Sequence, residues 1–280
     1  MENRTHEEIL AYTSDSGYIR IQRKMHAVLI LSFLGGTFIS FGAQTANTMA
    51  YNLLANSDTY GLGRALSGMM FGAGLMLIVF AGGELFTGNA LFIVSVLDRR
   101  VKIRTMLFSW LVVYIGNFAG CLFIAWMVYH SGLFNFSDGL LGGMTIKIAA
   151  YKTSLPFHSA FLMGLMCNWL VCLAIWVLSG IRDTAGKILS IFFIIGAFVI
   201  SGYEHSVANM FYIPAGILAK QNPFWLEKAN TAAAQLDGLN WATLFTKNLI
   251  PVTLGNIVGG SGMVGILYWL SFSSAKPQKK

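Results

Sequence analysis

The sequence predicts an all-α membrane protein with six transmembrane segments, and three observations predict it. Of the 280 residues, 55 % are hydrophobic and only 11 % charged, with a mean hydropathy of +0.62; soluble domains carry about 25 % charged residues. Long windows hold no Asp, Glu, Lys or Arg, and about 20 apolar residues cross a bilayer core. Thirteen of the nineteen Lys and Arg residues fall in one set of alternate loops, which by the positive-inside rule puts both termini in the cytoplasm. The expectation is a multi-pass protein of the cell membrane with the lipid bilayer as its first partner. Strand-type alternation over about ten residues, the mark of a membrane barrel, is not seen. The net charge of +7 follows from basic residues dispersed among the loops, so nucleic acid is not an expected partner.

Taken in order, residues 1–25 read as an amphipathic cytoplasmic segment. Thr5 to Glu8 fits a capping box. Ile9 and Leu10 start an apolar face, and Tyr18, Ile19 and Ile21 interleave with Arg20, Arg23 and Lys24, a pattern suited to the headgroup layer. Such a segment serves as an interfacial anchor or as a plug at the cytoplasmic mouth. The six-span channel domain covers 26–272, with windows near 27–55, 65–97, 105–130, 157–179, 188–219 and 241–272. The first holds Gly35, Gly36, Ser40 and Gly42, small residues that let helices approach closely in lipid. Gln44, Thr45, Asn47 and Thr48 lie toward its outer end.

The second and fifth windows are interrupted. Glu84 sits in Gly83-Glu-Leu-Phe-Thr-Gly-Asn89. Glu204 and His205 sit in Gly202-Tyr-Glu-His-Ser-Val-Ala-Asn209. Each Glu is followed five residues later by Asn. An ionisable side chain at the bilayer centre costs at least about 2.5–3.5 kcal/mol and is read as functional by default; the ordinary alternative is a carboxylate bonded to backbone amides. The third and sixth spans echo one another, Tyr114-Ile-Gly-Asn-Phe-Ala-Gly120 against Thr253-Leu-Gly-Asn-Ile-Val-Gly259. Two halves of three spans each must be inverted, and interrupted helices at matching places point to a transporter's central site. Asn117 and Asn256 are expected to satisfy backbone groups freed by the breaks.

Residues 131–156 read as the longest outer loop. Its Lys152, just before the fourth span, either draws anions to the mouth or snorkels at a helix end. Asn168, in an otherwise apolar run, is pore-lining or an interhelical bond. Residues 220–240 read as an interfacial loop anchored by Trp225 and Trp241, and 273–280 as a basic cytoplasmic tail. Cys121, Cys167 and Cys172 are expected as small buried packing residues.

Four stretches carry a resemblance. Gly83 to Asn89, Cys167-Asn-Trp-Leu-Val-Cys-Leu-Ala-Ile-Trp176, Gly202 to Met210 and Pro251-Val-Thr-Leu-Gly-Asn-Ile-Val-Gly-Gly260 resemble the formate/nitrite transporter family, and the likeness runs from about residue 20 to 272. It implies an aquaporin-like six-span protomer, a homopentamer with one pore per protomer, and no cofactor. The implied cargo is a small weak-acid anion: formate or nitrite, and after them hydrosulfide, acetate or lactate. The family's central His corresponds to His205 and the Thr of the second-span break to Thr87, with Lys152 and Asn168 near the pore. Its apolar constrictions correspond to Phe71, Leu75 and Phe198 on one side and to Leu85, Phe86 and Val171 on the other.

The chemistry expected from this set is anion transport, formate first, proton-linked through His205. Thr87 and the half-helix N-termini hold the anion, His205 supplies a proton or a hydrogen bond, and Glu204 fixes the ring or balances charge. A nitrite or hydrosulfide channel is the alternative. An intramembrane metal enzyme built on Glu84, Glu204 and His205 is the remote one. Zinc sites use three protein ligands, and neither H-E-x-x-H nor G-x-S-x-G occurs, so no metal and no catalytic residue are expected. For a water or glycerol channel the paired Asn-Pro-Ala loops are missing, since Asn222-Pro223 is followed by Phe224.

Overall fold

Backbone groups in lipid must be paired within the chain, and here they are paired almost wholly in helices; no strand occurs among the described residues. The computed structural model describes residues 2–273, so the basic tail expected at 273–280 lies, beyond Ser273, outside the described residues. The elements are α1 (His6–Ile21), α2 (Met25–Leu54), α3 (Ser57–Gly82), α4 (Phe86–Leu97), α5 (Ile103–His130), α6 (Leu140–Ser154), α7 (Phe157–Gly180), α8 (Thr184–Ser201), α9 (Ser206–Ala219), α10 (Pro223–Lys228), α11 (Ala233–Asp237) and α12 (Trp241–Phe272). Six of them, α2, α3, α5, α7, α8 and α12, are long and apolar enough to cross a membrane. The short helices α4 and α9 continue the interrupted second and fifth spans.

Both breaks begin at a glycine that only a residue without Cβ adopts easily. Gly82 has φ +92° and Gly202 φ +81°, each two residues before its Glu. The chain then runs extended for a few residues and restarts as a half-helix. Freed backbone groups at each break find matched partners in the other spans of the same half. The Glu84 N–H donates to Leu31 O (2.9 Å), the Glu204 N–H to Met163 O (3.3 Å). Asn117 accepts from the Phe86 N–H (2.9 Å) and donates to Ser32 O (2.7 Å) and Glu84 O (2.8 Å). Asn256 accepts from the Ser206 N–H (2.9 Å) and donates to Gly164 O (2.7 Å) and Glu204 O (3.1 Å). This is the role expected for the two asparagines, and it displays the inverted repeat in hydrogen bonds. Tyr114 and Thr253, equivalent positions of the two halves, meet hydroxyl to hydroxyl at 3.0 Å.

Close helix contact has the same symmetry. A Cβ on Gly120 would lie 2.1 Å from Phe33 O, and one on Gly259 would lie 2.1 Å from Leu165 O. Glycine at both places lets α5 touch α2 and α12 touch α7 backbone to backbone.

Three expectations about the connections change. The stretch 131–156 is no simple loop: α6 occupies most of it, with Leu141, Ile146, Ala149 and Ala150 fully buried beneath α9. Those residues recur at helical spacing, and charge counting alone did not weigh it. Residues 220–240 contain α10 and α11, and Trp225 is buried against Phe134 and Tyr129, its indole N–H bonded to Asn135 Oδ1 at 2.9 Å. It is a packing residue; Trp241 is the exposed one. Finally, α1 begins with the expected capping box but tucks under the bundle. Leu10 is fully buried, the Ser95 hydroxyl donates to Ser14 O (2.8 Å), and His6 stacks on Phe272 at the end of α12.

Candidate functional site

The N-termini of α4 and α9 bring the two breaks together, and the side chains that matter follow from where each half-helix starts. His205 is the residue before α9. Its Nδ1 accepts from the Ala208 N–H at 3.0 Å, so the ring caps its own helix. That bond fixes the neutral tautomer: Nδ1 is the acceptor and Nε2 carries the hydrogen. Nε2 lies 3.0 Å from Thr87 Oγ1, in the first turn of α4. Only 3 % of His205 and none of Thr87 is exposed.

The matching position on the other break is Leu85, which has no acceptor. The Thr87 and Gly88 N–H groups therefore have no partner among the described residues. A helix start with open N–H groups and positive dipole is a place for negative charge. Asn168, on α7, reaches the same turn. Its Nδ2 donates to Thr87 O (3.2 Å) and Asn256 O (2.7 Å), which leaves Oδ1 buried without a partner among the described residues. Asn168 is thus an interhelical bond with one acceptor in reserve.

The buried carboxylates do not bond to backbone amides, and neither touches the His205 ring. Glu204, 1 % exposed, takes Lys152 Nζ at 2.8 Å, Asn209 Nδ2 at 2.7 Å and Asn248 Nδ2 at 3.2 Å. Its expected role of fixing the imidazole falls to the α9 backbone instead. Lys152 does more than snorkel, since it neutralises Glu204 and packs over the Tyr212 ring. In the other half Glu84 is held by Arg20 Nε (3.0 Å) and Nη2 (2.5 Å), Arg23 Nη1 (2.6 Å) and Asn89 Nδ2 (2.9 Å). Each Glu–Asn pair five residues apart therefore closes onto a cation, from α6 in one half and from the N-terminal segment in the other.

On the face opposite the termini, a cavity of about 540 Å³ leads down to His205. Phe71 and Phe198 form its floor, their rings edge to face at 5.4 Å, with Phe198 stacked on His205 at 6.0 Å. Leu75, Leu85, Phe86 and Val171 are buried in the same core but do not line this cavity; Phe86 packs on Trp110 and Tyr114. Arg64 is a wall residue that sequence reasoning passed over. Its Nη2 and Nε bond to the last carbonyls of α8, at Val199 and Ile200, where cations are favoured. The signal was present: Arg64 is the sole charged residue between Asp58 and Glu84. Arg20 and Arg23 were seen as surface charges, and nothing in the sequence marked Asn248. Among the described residues no group of three or more His, Cys, Asp or Glu is placed to hold a metal.

Comparison with known proteins finds relatives along nearly the whole chain. A family model described as formate/nitrite transporter matches residues 7–270. A probable formate transporter of Methanothermobacter thermautotrophicus is 38 % identical over 259 residues, 88 % of each chain. The formate channel FocA of Escherichia coli K12 is 31 % identical, covering 92 % of this chain and 90 % of its own. Among solved structures, a pentameric formate channel with formate bound superposes with a TM-score of 0.76 at 35 % identity, over 89 % of this chain and all of the other.

Proposed function

The chain belongs to the formate/nitrite transporter family, and on that premise we propose that it carries small monovalent weak-acid anions, formate first, between the Phe71–Phe198 floor and the Thr87–His205 centre, in a homopentamer whose two termini face the cytoplasm. The observation that supports this most is the Nε2–H of His205 set 3.0 Å from Thr87 beside the open N-terminus of α4. A bare anion cannot cross an apolar ring cheaply, since stripping its water costs far more than a few kcal/mol. Protonating a carboxylate of pKa near 4 at pH 7 costs only about 4 kcal/mol. The acid therefore crosses neutral, and the protein's task is to collect the anion, hold it while it takes a proton, and hand it through.

The residues divide that task. Lys147 and Arg64, the unpaired cations of the cavity wall, draw the anion in, while Lys152 balances the buried Glu204 beside the passage. Beyond the floor, His205 donates from Nε2 to the carbonyl oxygen of the cargo, and Thr87 and the open α4 amides hold its second oxygen and stabilise any charge that returns there. Because Nδ1 is occupied by the Ala208 N–H, a cationic imidazole would lose its helix cap. A neutral imidazole that gave up its Nε2 proton would become an imidazolate. His205 is thus a hydrogen-bond donor that orients the cargo beyond the floor, and the proton joins the anion from water in the vestibule, before the Phe71–Phe198 pair is crossed. Nitrite follows the same rule, with its own acidity setting its rate; hydrosulfide, acetate and lactate are the wider range the site admits.

The test is uptake of formate, nitrite and hydrosulfide by proteoliposomes at a fixed anion gradient across a pH series. Formate flux is expected to fall by about tenfold per pH unit above the acid's pKa. His205→Asn, which keeps an N–H donor, should retain that slope with reduced rate, and His205→Ala should lose at least about tenfold. Unchanged uptake in His205→Ala would sink the assignment.

A further inference from the structure

The far vestibule is larger than a three-heavy-atom anion needs. Its volume of about 540 Å³ lies within the ~300–1,000 Å³ of sites that hold drug-sized ligands. Two cations in its wall are uncompensated. Lys147 is exposed and has no hydrogen-bond or ion-pair partner among the described residues. Arg64 spends Nε and Nη2 on the Val199 and Ile200 carbonyls, which neutralise no charge, and its Nη1 makes no hydrogen bond among the described residues. Lys152, by contrast, is matched by Glu204. The rest of the wall is rich in rings: Tyr60 and Tyr151 line it, both half exposed, above Phe198.

We propose that this vestibule is a binding site for an aromatic monocarboxylate of benzoate size, which blocks the passage without crossing it. The carboxylate docks at Arg64 and Lys147, and the ring lies against Tyr60, Tyr151 and Phe198. A planar fork such as Arg64 suits a carboxylate, and offset or edge-on ring contacts suit an aryl group. The Phe71–Phe198 pair, in edge contact at 5.4 Å, has no space for a third ring between the two. The block rests on the transport reading above, since it supposes that cargo enters through this cavity; the binding does not.

The experiment measures benzoate binding to the full-length protein in nanodiscs by titration calorimetry, and separately formate flux in proteoliposomes with benzoate added on the vestibule side. Benzoate should bind and inhibit, radiolabelled benzoate should not accumulate, and cyclohexanecarboxylate should bind more weakly. Lys147→Gln and Arg64→Gln should each weaken benzoate by about tenfold or more, the loss of one charge-assisted hydrogen bond. Lys147 has no partner to lose, so that variant carries the test even where Arg64→Gln fails to fold. No heat of binding, equal affinity in Lys147→Gln, or passage of benzoate itself would overturn the proposal. Binding with these affinities in a protein that moves no formate would leave the site standing and the transport reading fallen; formate flux with no benzoate binding would do the reverse.

Discussion

At the scale of single residues, Asn117 and Asn256 hold the breaks open. Each is fully buried and closes three hydrogen bonds, one to an N–H and one to a carbonyl of the break that would otherwise be unpaired, and one to a carbonyl of the neighbouring span. Replacing either by Leu strands two buried backbone groups of its break, the Phe86 N–H and Glu84 O or the Ser206 N–H and Glu204 O, at about 1–3 kcal/mol apiece. Asn117→Leu and Asn256→Leu should therefore lower thermal stability in detergent to a similar extent, even though only Asn256 lies in the half that carries His205. A large difference between them would argue against equivalent roles. The sequence made these two legible because Gly-Asn-x-x-Gly recurs in the third and sixth spans. It made Glu84 and Glu204 legible as intramembrane charges but hid their partners: Arg20, Arg23 and Lys152 lie 64, 61 and 52 residues away in the chain, and no local pattern announces a contact at that distance. The tautomer of His205 was hidden too, since it depends on one backbone amide.

Among the elements, α1 is tied to the bundle through a buried ion cluster. Taking one cation from such a cluster leaves the buried carboxylate with fewer partners to offset its desolvation, here with the more exposed Arg23 as its remaining cation. Removing the α1 segment through Ile21 takes Arg20 from Glu84 and leaves Arg23. The expected result is a less stable protein, not merely a more open one, and Glu84→Gln in the truncated chain should restore part of the loss in a melting experiment. Additive losses would mean that the contact is not energetically coupled. The helix contacts permit a second comparison. Gly120→Ala and Gly259→Ala force a methyl against a carbonyl oxygen 2.1 Å away and should part α5 from α2 and α12 from α7, with several degrees lost from the melting temperature. Gly61→Ala, where nothing lies within 4 Å, should be neutral or slightly stabilising. Spans were the most legible elements, because a charge-free window of sufficient length admits few other structures in lipid. The helix α6 was not, since its residues are buried by α9 and by Trp225 rather than by lipid, and its two lysines resemble loop charges.

The whole molecule joins a duplicated frame to a single site. Gly82 and Gly202, Leu31 and Met163, Asn117 and Asn256, Gly120 and Gly259 answer one another across the repeat, while the paired positions 85 and 205 hold Leu and His, and 87 and 207 hold Thr and Val. Broad apolar faces remain exposed on the single chain, with Leu107, Phe108, Leu111, Ile115 and Trp126 of α5 among them, as expected where lipid or a neighbouring protomer completes the surface. Cross-linking in native membranes should report a ladder ending at five copies if the proposed assembly is right.

The single imidazole in that doubled frame has a kinetic consequence. On the proposed path, cargo entering through the vestibule would meet the donor soon after the Phe71–Phe198 pair; cargo entering from the other end would first pass the constriction that the family resemblance implies at Leu85 and its neighbours. Half-saturating concentrations measured for influx and for efflux should accordingly be unequal. Detailed balance still requires that capacity divided by half-saturation be the same in both directions, so the side with the weaker apparent affinity must also show the higher ceiling.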